Sequence, residues 1–365
     1  MTFAPTLQSK IAGLDGLRGI SIALVLFGHV VTTNNFPIFF DKPYFASMGN
    51  IGVRLFFTIS GFLITTLLLR EIAKSNRIKL TDFYWRRSFR IFPAALFYIL
   101  VMWIAYLLGV IDLRERLASK SLLESAVPDL LHALTFTYNY VSDYSWQYNH
   151  LWSLSVEEQF YLLWPLTLAL LASRTAGVLA LACLVLCPII RAMMLLVFDM
   201  PMVSLSRQFQ AVADSLLMGC VGAIYYNRIV ENSRINQVIS TFGGVLGIAL
   251  ILVAYASALW SRAFSAIVGQ SLANLGGMLF LLHVVGNGNS LLGRVCQQKW
   301  LVYLGGISYS LYLWQQPFLD FHLNSWATSF PVNMILAFAL AHLSYYIVEK
   351  PMRNWGAKLR PSHQA

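Results

Sequence analysis

The chain has 365 residues, 58% of them hydrophobic and only 12% charged, well above the roughly 45–50% apolar share of soluble domains. That balance excludes a water-soluble fold. The formal net charge is +10, but the basic residues fall in short clusters between apolar stretches rather than on one soluble face. This distribution suits anionic lipid head groups and argues against nucleic acid as a partner. The four cysteines, Cys183, Cys187, Cys220 and Cys296, lie in or beside apolar stretches without the paired spacing of a zinc site. No metal is expected.

A bilayer core takes about 20 apolar residues per helix, and the chain supplies that length repeatedly. The expected spans are 16–33, 50–70, 89–110, 150–172, 176–198, 208–226, 237–257, 264–285, 300–320 and 331–349. The expected fold class is therefore an all-α, polytopic integral membrane protein of about ten transmembrane helices. The first stretch opens with Asp15 and Arg18 and has no small-residue cleavage site after it, so it is expected to remain as a span rather than be removed as a signal peptide. Residues 1–355 read as a single integral membrane domain and 356–365 as a short cytoplasmic tail, with no appended soluble domain.

Orientation follows from the basic residues, because Lys and Arg accumulate on the cytoplasmic side. Between spans two and three lie Arg70, Lys74, Arg77, Lys79, Arg86, Arg87 and Arg90, against Glu71 and Asp82. That connection is expected in the cytoplasm, and counting along the spans places both termini there too. The long connection from about 111 to 149 then falls on the opposite face. It ends in an aromatic stretch, Tyr138, Tyr140, Trp146 and Tyr148, which reads either as an interfacial belt or as a sugar-stacking surface.

Ionisable groups inside spans are costly and mark function by default. In LDGLRGISIALVLFGHV, Asp15, Arg18 and His29 share one helix. Arg18 and His29 are eleven residues apart, so they fall on nearly one face, roughly 16 Å apart along the axis. Asp15 precedes Arg18 by one turn and can hold its guanidinium. The plain alternative is a snorkelling ion pair and a packing histidine. In HLWSLSVEEQFYLLWP, Glu157 and Glu158 enter an otherwise apolar span; Glu157 comes at a depth similar to that of His29. In DFYWRRSFRIFP, Arg86, Arg87 and Arg90 stand at the cytoplasmic mouth of span three, where planar guanidinium groups suit phosphate and where orientation alone also favours basic residues. In YLGGISYSLYLWQQP, Gly305 and Gly306 allow close helix packing, and the hydroxyls and amides can line a wet groove. Phosphate loops, HExxH, GxSxG and CxxC are absent from the sequence.

Taken in order, these blocks, with FFTISGFLI at 56–64 and VEKPMR at 348–353, resemble the acyltransferase 3 family of integral membrane acyltransferases. The resemblance rests first on an Arg followed after ten residues by a His in the opening span, and it covers the chain almost end to end. It implies transfer of an acyl group, acetyl by default, from cytoplasmic acyl-CoA (acetyl-CoA) to a hydroxyl of a surface or exopolysaccharide glycan or lipid-linked saccharide, across a bacterial cytoplasmic (inner) membrane. His29 is expected as general base or as acyl-carrying nucleophile. Glu157 would orient it or stabilise its protonated form, and Asp15 with Arg18 would complete the catalytic set. Arg18, Arg86, Arg87 and Arg90 are expected to bind the coenzyme phosphates, and Trp152, Tyr161, Tyr309, Tyr312 and Trp314 the acceptor. One departure is visible: many members carry a histidine after the YLW block, and here Gln315 and Gln316 follow. No C-terminal hydrolase-like domain is expected to complete the transfer. Two readings of other classes compete, a secondary transporter and a non-catalytic polysaccharide-assembly protein.

Overall fold

A computed structural model describes residues 11–37, 45–111, 122–142 and 145–359. Its main helices are α1 (Ile11–Val30), α2 (Met48–Ser75), α3 (Leu80–Leu107), α4 (Leu122–Leu134), α5 (Leu151–Leu170), α6 (Ser173–Leu196), α7 (Phe209–Glu231), α8 (Ser233–Ala256), α9 (Gln270–Gly286), α10 (Lys299–Trp314), α11 (Val332–Ser344) and α12 (Lys350–Lys358). Among the described residues there is no β-strand. Among the described residues, eight helical stretches are long and apolar enough to cross a bilayer: Gly13–Val30, Met48–Ser75, Leu80–Leu107, Ser173–Leu196, Met202–Glu231, Ser233–Leu259, Arg262–Gly286 and Val332–Lys358. The protein is thus a polytopic all-α membrane protein. The two further expected spans, 150–172 and 300–320, are helices as well. However, α10 has only 16 residues, and α5 carries Glu157 and Glu158 near its middle.

Several boundaries differ from the sequence expectation for identifiable reasons. Helix α1 stops at Val30 instead of 33, because Thr32 Oγ1 donates to His29 O and Thr33 Oγ1 to Val30 O, both at 2.7 Å, and Asn35 turns the chain with φ 62°. Helix α3 begins nine residues early, so Arg86, Arg87 and Arg90 stand within a helix rather than in a basic loop. The long connection contains α4, and its aromatic run is neither an exposed belt nor a stacking surface throughout. Tyr138 and Tyr148 are fully buried, and Tyr148 Oη donates to Ile99 O at 3.2 Å. The C-terminal segment stays helical to Lys358, with Trp85 Nε1 donating to Gly356 O at 3.0 Å.

The helices form two compact units. The first comprises Met1–Val25, Met48–Ile78 and Gln159–Gly306. In it α7 packs on α2, α6 and α9, and α9 packs on α8. Lipid supplies no hydrophobic force between helices, so close backbone approach must hold them. Gly247 on α8 and Gly276 on α9 provide it, since a Cβ on either would come within 2.5 Å of the other's carbonyl oxygen. Leu14, Leu17, Ile59, Phe62 and Phe280 fill the core. Val178 and Val185 of α6 and Val245 of α8 point outward, exposed and apolar, as a lipid-facing surface requires.

This unit also holds a buried polar centre. Arg191 and Asp214 form a fully buried ion pair, Nη1 to Oδ2 2.9 Å. Arg191 also donates to Ala211 O, to Ser271 Oγ and, through Nε at 3.0 Å, to Ile267 O in the π-helical turn Ser265–Gly269. The wide turn releases a carbonyl that an α-helix would have used, and the guanidinium takes it. Arg54 adds a second guanidinium, which donates to Ser215 Oγ and Gln270 Oε1.

The second unit comprises Leu26–Ser47, Lys79–Glu158 and Ile307–Ala365. In it α3 packs on α12 and on α4. Tyr98 Oη, at mid-helix on α3, donates to Gln147 O at 2.6 Å, which ties the segment before α5 to that helix. Asp129 of α4 accepts from Ser145 N at 3.1 Å. Burial pushes its carboxyl above the usual carboxylate range even though the Ser145 hydrogen bonds act the other way. Between α11 and α12 the π-helical turn Tyr345–Glu349 carries Glu349, which is buried and accepts from Ser310 Oγ at 2.7 Å.

Candidate active site

His29 sits in the last turn of α1 and is half-buried. Its Nδ1 lies 2.7 Å from Gln315 Oε1. An amide oxygen only accepts, so Nδ1 carries the hydrogen, and in the neutral ring Nε2 carries the lone pair. The orientation of Gln315 is itself fixed. Its Nε2 donates to Gln316 Oε1 at 3.0 Å, Gln316 Nε2 donates to Trp146 O at 2.9 Å, and Trp146 Nε1 returns a bond to Gln316 O at 2.8 Å. The indole stands edge-on to the imidazole with ring centroids 5.8 Å apart. A chain of amides therefore runs from the main chain at Trp146 to His29 and selects one tautomer. The two glutamines read as a departure from the family pattern occupy the orienting position.

His150 lies close to His29: it follows Trp146, whose indole packs on His29, by one turn, and its ring meets Tyr312, three residues before the Gln315 that binds His29. It is 3% exposed, and neither ring nitrogen has a hydrogen-bond partner. Tyr98 packs edge-on at 5.2 Å between centroids, and Tyr312 lies tilted at 5.4 Å. Tyr312 Oη donates to His150 O at 2.9 Å and meets Ser153 Oγ at 2.5 Å. Residues 150, 153 and 157 share one face by helical spacing, which places Glu157 about two turns beyond His150 on α5.

That face continues into a charged region. Tyr309, one turn before Tyr312 on α10, donates from Oη to Ile91 O at 2.9 Å and feels the charges of Glu158, Glu349, Glu157 and Arg87. Glu158 in turn feels Arg87. Of the three expected phosphate-binding arginines, Arg86 is exposed, and Arg87 and Arg90 are partly buried. Of the expected acceptor-binding aromatics, Trp314 is buried against Tyr98 and Phe97, and Trp152 is buried as well. Of the expected site residues, His29, Glu157, Arg86, Arg87, Arg90, Trp152, Tyr309, Tyr312 and Trp314 all lie in the second unit, with Glu157 and the arginines removed from His29 along the helices. That unit adds Gln315, His150 and Glu349, which sequence reasoning had not placed in the site. The one signal available for His150 was its position at the head of the WSLSVEEQFY block.

In the first unit, Asp15 and Arg18 pair at 3.7 Å as their spacing requires, and Tyr161 is buried. No cluster of three or more potential metal ligands occurs among the described residues.

Spanning apolar helices, with an imidazole whose tautomer Gln315 sets on one of them, define the class: a polytopic integral membrane protein with a polar centre in its helices. The chain belongs to the acyltransferase 3 family, whose sequence model, described as an acyltransferase domain, matches residues 11–348. It is 29% identical over 375 residues to the O-acetyltransferase OatA of Staphylococcus aureus, covering 95% of this chain and 58% of that protein. It is also 29% identical over 389 residues to the "Putative peptidoglycan O-acetyltransferase YrhL" of Bacillus subtilis, covering 95% and 55%. The chain thus spans little more than half the length of the curated relatives it matches. No solved structure matches it.

Proposed function

We propose that the chain is a membrane O-acyltransferase which moves an acyl group, acetyl by default, from acyl-CoA in the cytoplasm to a hydroxyl of an envelope glycan or lipid-linked saccharide on the far side of a bacterial cytoplasmic membrane. Family membership and two relatives named as O-acetyltransferases support the reaction class. The observation that carries the mechanism is the hydrogen bond from His29 Nδ1 to Gln315, which leaves the basic lone pair on Nε2.

His29 takes the proton of the acceptor hydroxyl as the oxygen attacks the thioester carbonyl carbon. The tetrahedral centre collapses and expels the thiolate, which recovers that proton from His29. Ester and free thiol result, and the imidazole is neutral again. Gln315 holds the Nδ1 position that a triad carboxylate would take, so Glu157 acts on the protonated ring only through its charge. Arg86, Arg87 and Arg90 act on the coenzyme phosphates, for which planar guanidinium groups are suited; Arg18, held by Asp15 in the first unit, supplies a guanidinium of the same kind. Trp152, Tyr309, Tyr312 and Trp314 of the second unit form the acceptor side.

The test is to express the full chain and a His29→Ala variant in a host lacking related activity and to measure base-released acetate from the envelope glycan. Loss of a general base costs about 10²–10⁴-fold, so the variant should fall to background while accumulating normally in the membrane. Transfer at the parent rate by this variant removes His29 from the chemistry.

A further inference from the structure

A buried imidazole with both nitrogens unpartnered is rare, because a buried donor left without an acceptor costs about 1–3 kcal/mol. His150 is such a group. No neighbouring group takes its hydrogen. Tyr98 Oη donates to Gln147 O, Tyr312 Oη to His150 O, Trp146 Nε1 to Gln316 O, Gln316 Nε2 to Trp146 O and Gln315 Nε2 to Gln316 Oε1. Each of these side-chain donors near His29 is committed to a protein oxygen, whereas the N–H of His150 is not. The aromatic walls, Tyr98 and Tyr312, hold the His150 ring by contact alone. The protein therefore keeps the N–H of His150 desolvated and in reserve close to His29; Trp314 Nε1, whose indole also packs on Tyr98, is a second buried donor without a partner.

We infer that His150 is a second catalytic residue, whose ring N–H donates to the carbonyl oxygen of the acyl thioester and stabilises the negative charge that gathers there during attack. This rests on the acyl-transfer reading above. His29 accepts the hydroxyl proton, the new carbon–oxygen bond forms, the carbonyl electron pair moves to oxygen and is met by His150, and on collapse the carbon–sulfur bond breaks and the thiolate takes the proton from His29. His150 neither gains nor loses a proton in this sequence. A preorganised donor shielded from water is the kind of group whose removal costs about 10²–10³-fold in turnover.

The experiment uses the full chain in membrane vesicles supplied with acetyl-coenzyme A carrying a labelled acetyl group, in the same host and with the same glycan. His150→Phe and His150→Met keep an apolar fit and lose the N–H, whereas His150→Gln keeps an amide donor. The Phe and Met variants should lose at least 100-fold in kcat with KM for acetyl-coenzyme A changed less than threefold. The Gln variant should exceed both by at least tenfold, with the pH dependence of the residual rate unchanged. If Phe does not accumulate in the membrane, the comparison of Gln with Met stands alone. Equal rates for Gln and Met, or a parent-like rate for either apolar variant while His29→Ala is inactive, overturn this assignment and leave the acyl-transfer reading intact. Parent-like rates in the His29→Ala variant overturn the reading itself.

Discussion

Gln315 makes three hydrogen bonds that only one orientation of its amide satisfies, with Oε1 receiving from His29 and Nε2 giving to Gln316 Oε1 and, at 3.5 Å, to Tyr312 O. Replacing it by Leu keeps the volume but removes the acceptor at Nδ1, so the imidazole hydrogen is no longer confined to that nitrogen. Groups that orient a functional imidazole are typically worth about 10–100-fold, and Gln315→Leu should lower kcat by that amount with little change in KM for the donor. Unchanged kcat would mean that some other contact sets the tautomer. The sequence made this residue visible as one amide of a possible wet groove and as a missing histidine, not as a partner of His29. Its role depends on a partner 286 positions away, and no local pattern encodes such a contact. His29 was legible because a charged group on an apolar helix stands out by composition alone, as Glu157 and Arg18 do. His150 was not, since it falls at a span boundary where a histidine needs no explanation until its burial and unpartnered nitrogens are known.

At the scale of helices, the sequence paired Gly305 with Gly306 as one packing device, and the two separate cleanly. A Cβ on Gly305 would come within 1.8 Å of Asp15 O on α1, whereas one on Gly306 would meet nothing within 4 Å. Gly305 is thus where α10 closes on the turn of α1 that carries the Asp15–Arg18 pair. Gly305→Ala must push two backbones apart, at about 1–3 kcal/mol for overpacking, and should lower the midpoint of thermal unfolding in detergent and reduce accumulation. Gly306→Ala should be neutral, or stabilising by about 0.5–1 kcal/mol through helix propensity. Equal behaviour of the two variants would contradict the close approach of α1 and α10. Apolar length located every expected span as a helix. It misjudged their ends, because the signals there are short-range hydrogen bonds, as at Thr32 and Thr33, or a helix that runs on through polar residues, as at Arg86 to Arg90. The π-helical turns at Ser265–Gly269 and Tyr345–Glu349 were also invisible. Each turn lies beside a buried charge, Arg191 in one unit and Glu349 in the other, and it takes the three-dimensional partner to reveal why the helix widens.

For the whole molecule, the proposed chemistry requires an orientation, since it sets donor and acceptor on opposite sides of the membrane. The basic residues from Arg70 to Arg90 argue for a cytoplasmic turn between α2 and α3, and the opposite face then receives the segment around Ser142. The four cysteines are all unpaired and three of them are buried, so a background with serines in their place leaves single introduced thiols as the reporters. Lys74 and Ser142 are both exposed, which makes Lys74→Cys and Ser142→Cys suitable probes. A membrane-impermeant maleimide applied to intact cells should label Ser142→Cys and spare Lys74→Cys, and inside-out vesicles should give the reverse. Labelling of Lys74→Cys from outside would place the arginine-rich end of α3 on the side that holds no acyl-coenzyme A. The guanidinium groups could not then bind its phosphates, and the route of the acyl group from that end toward His29 would have to be abandoned even if His29 itself proved essential.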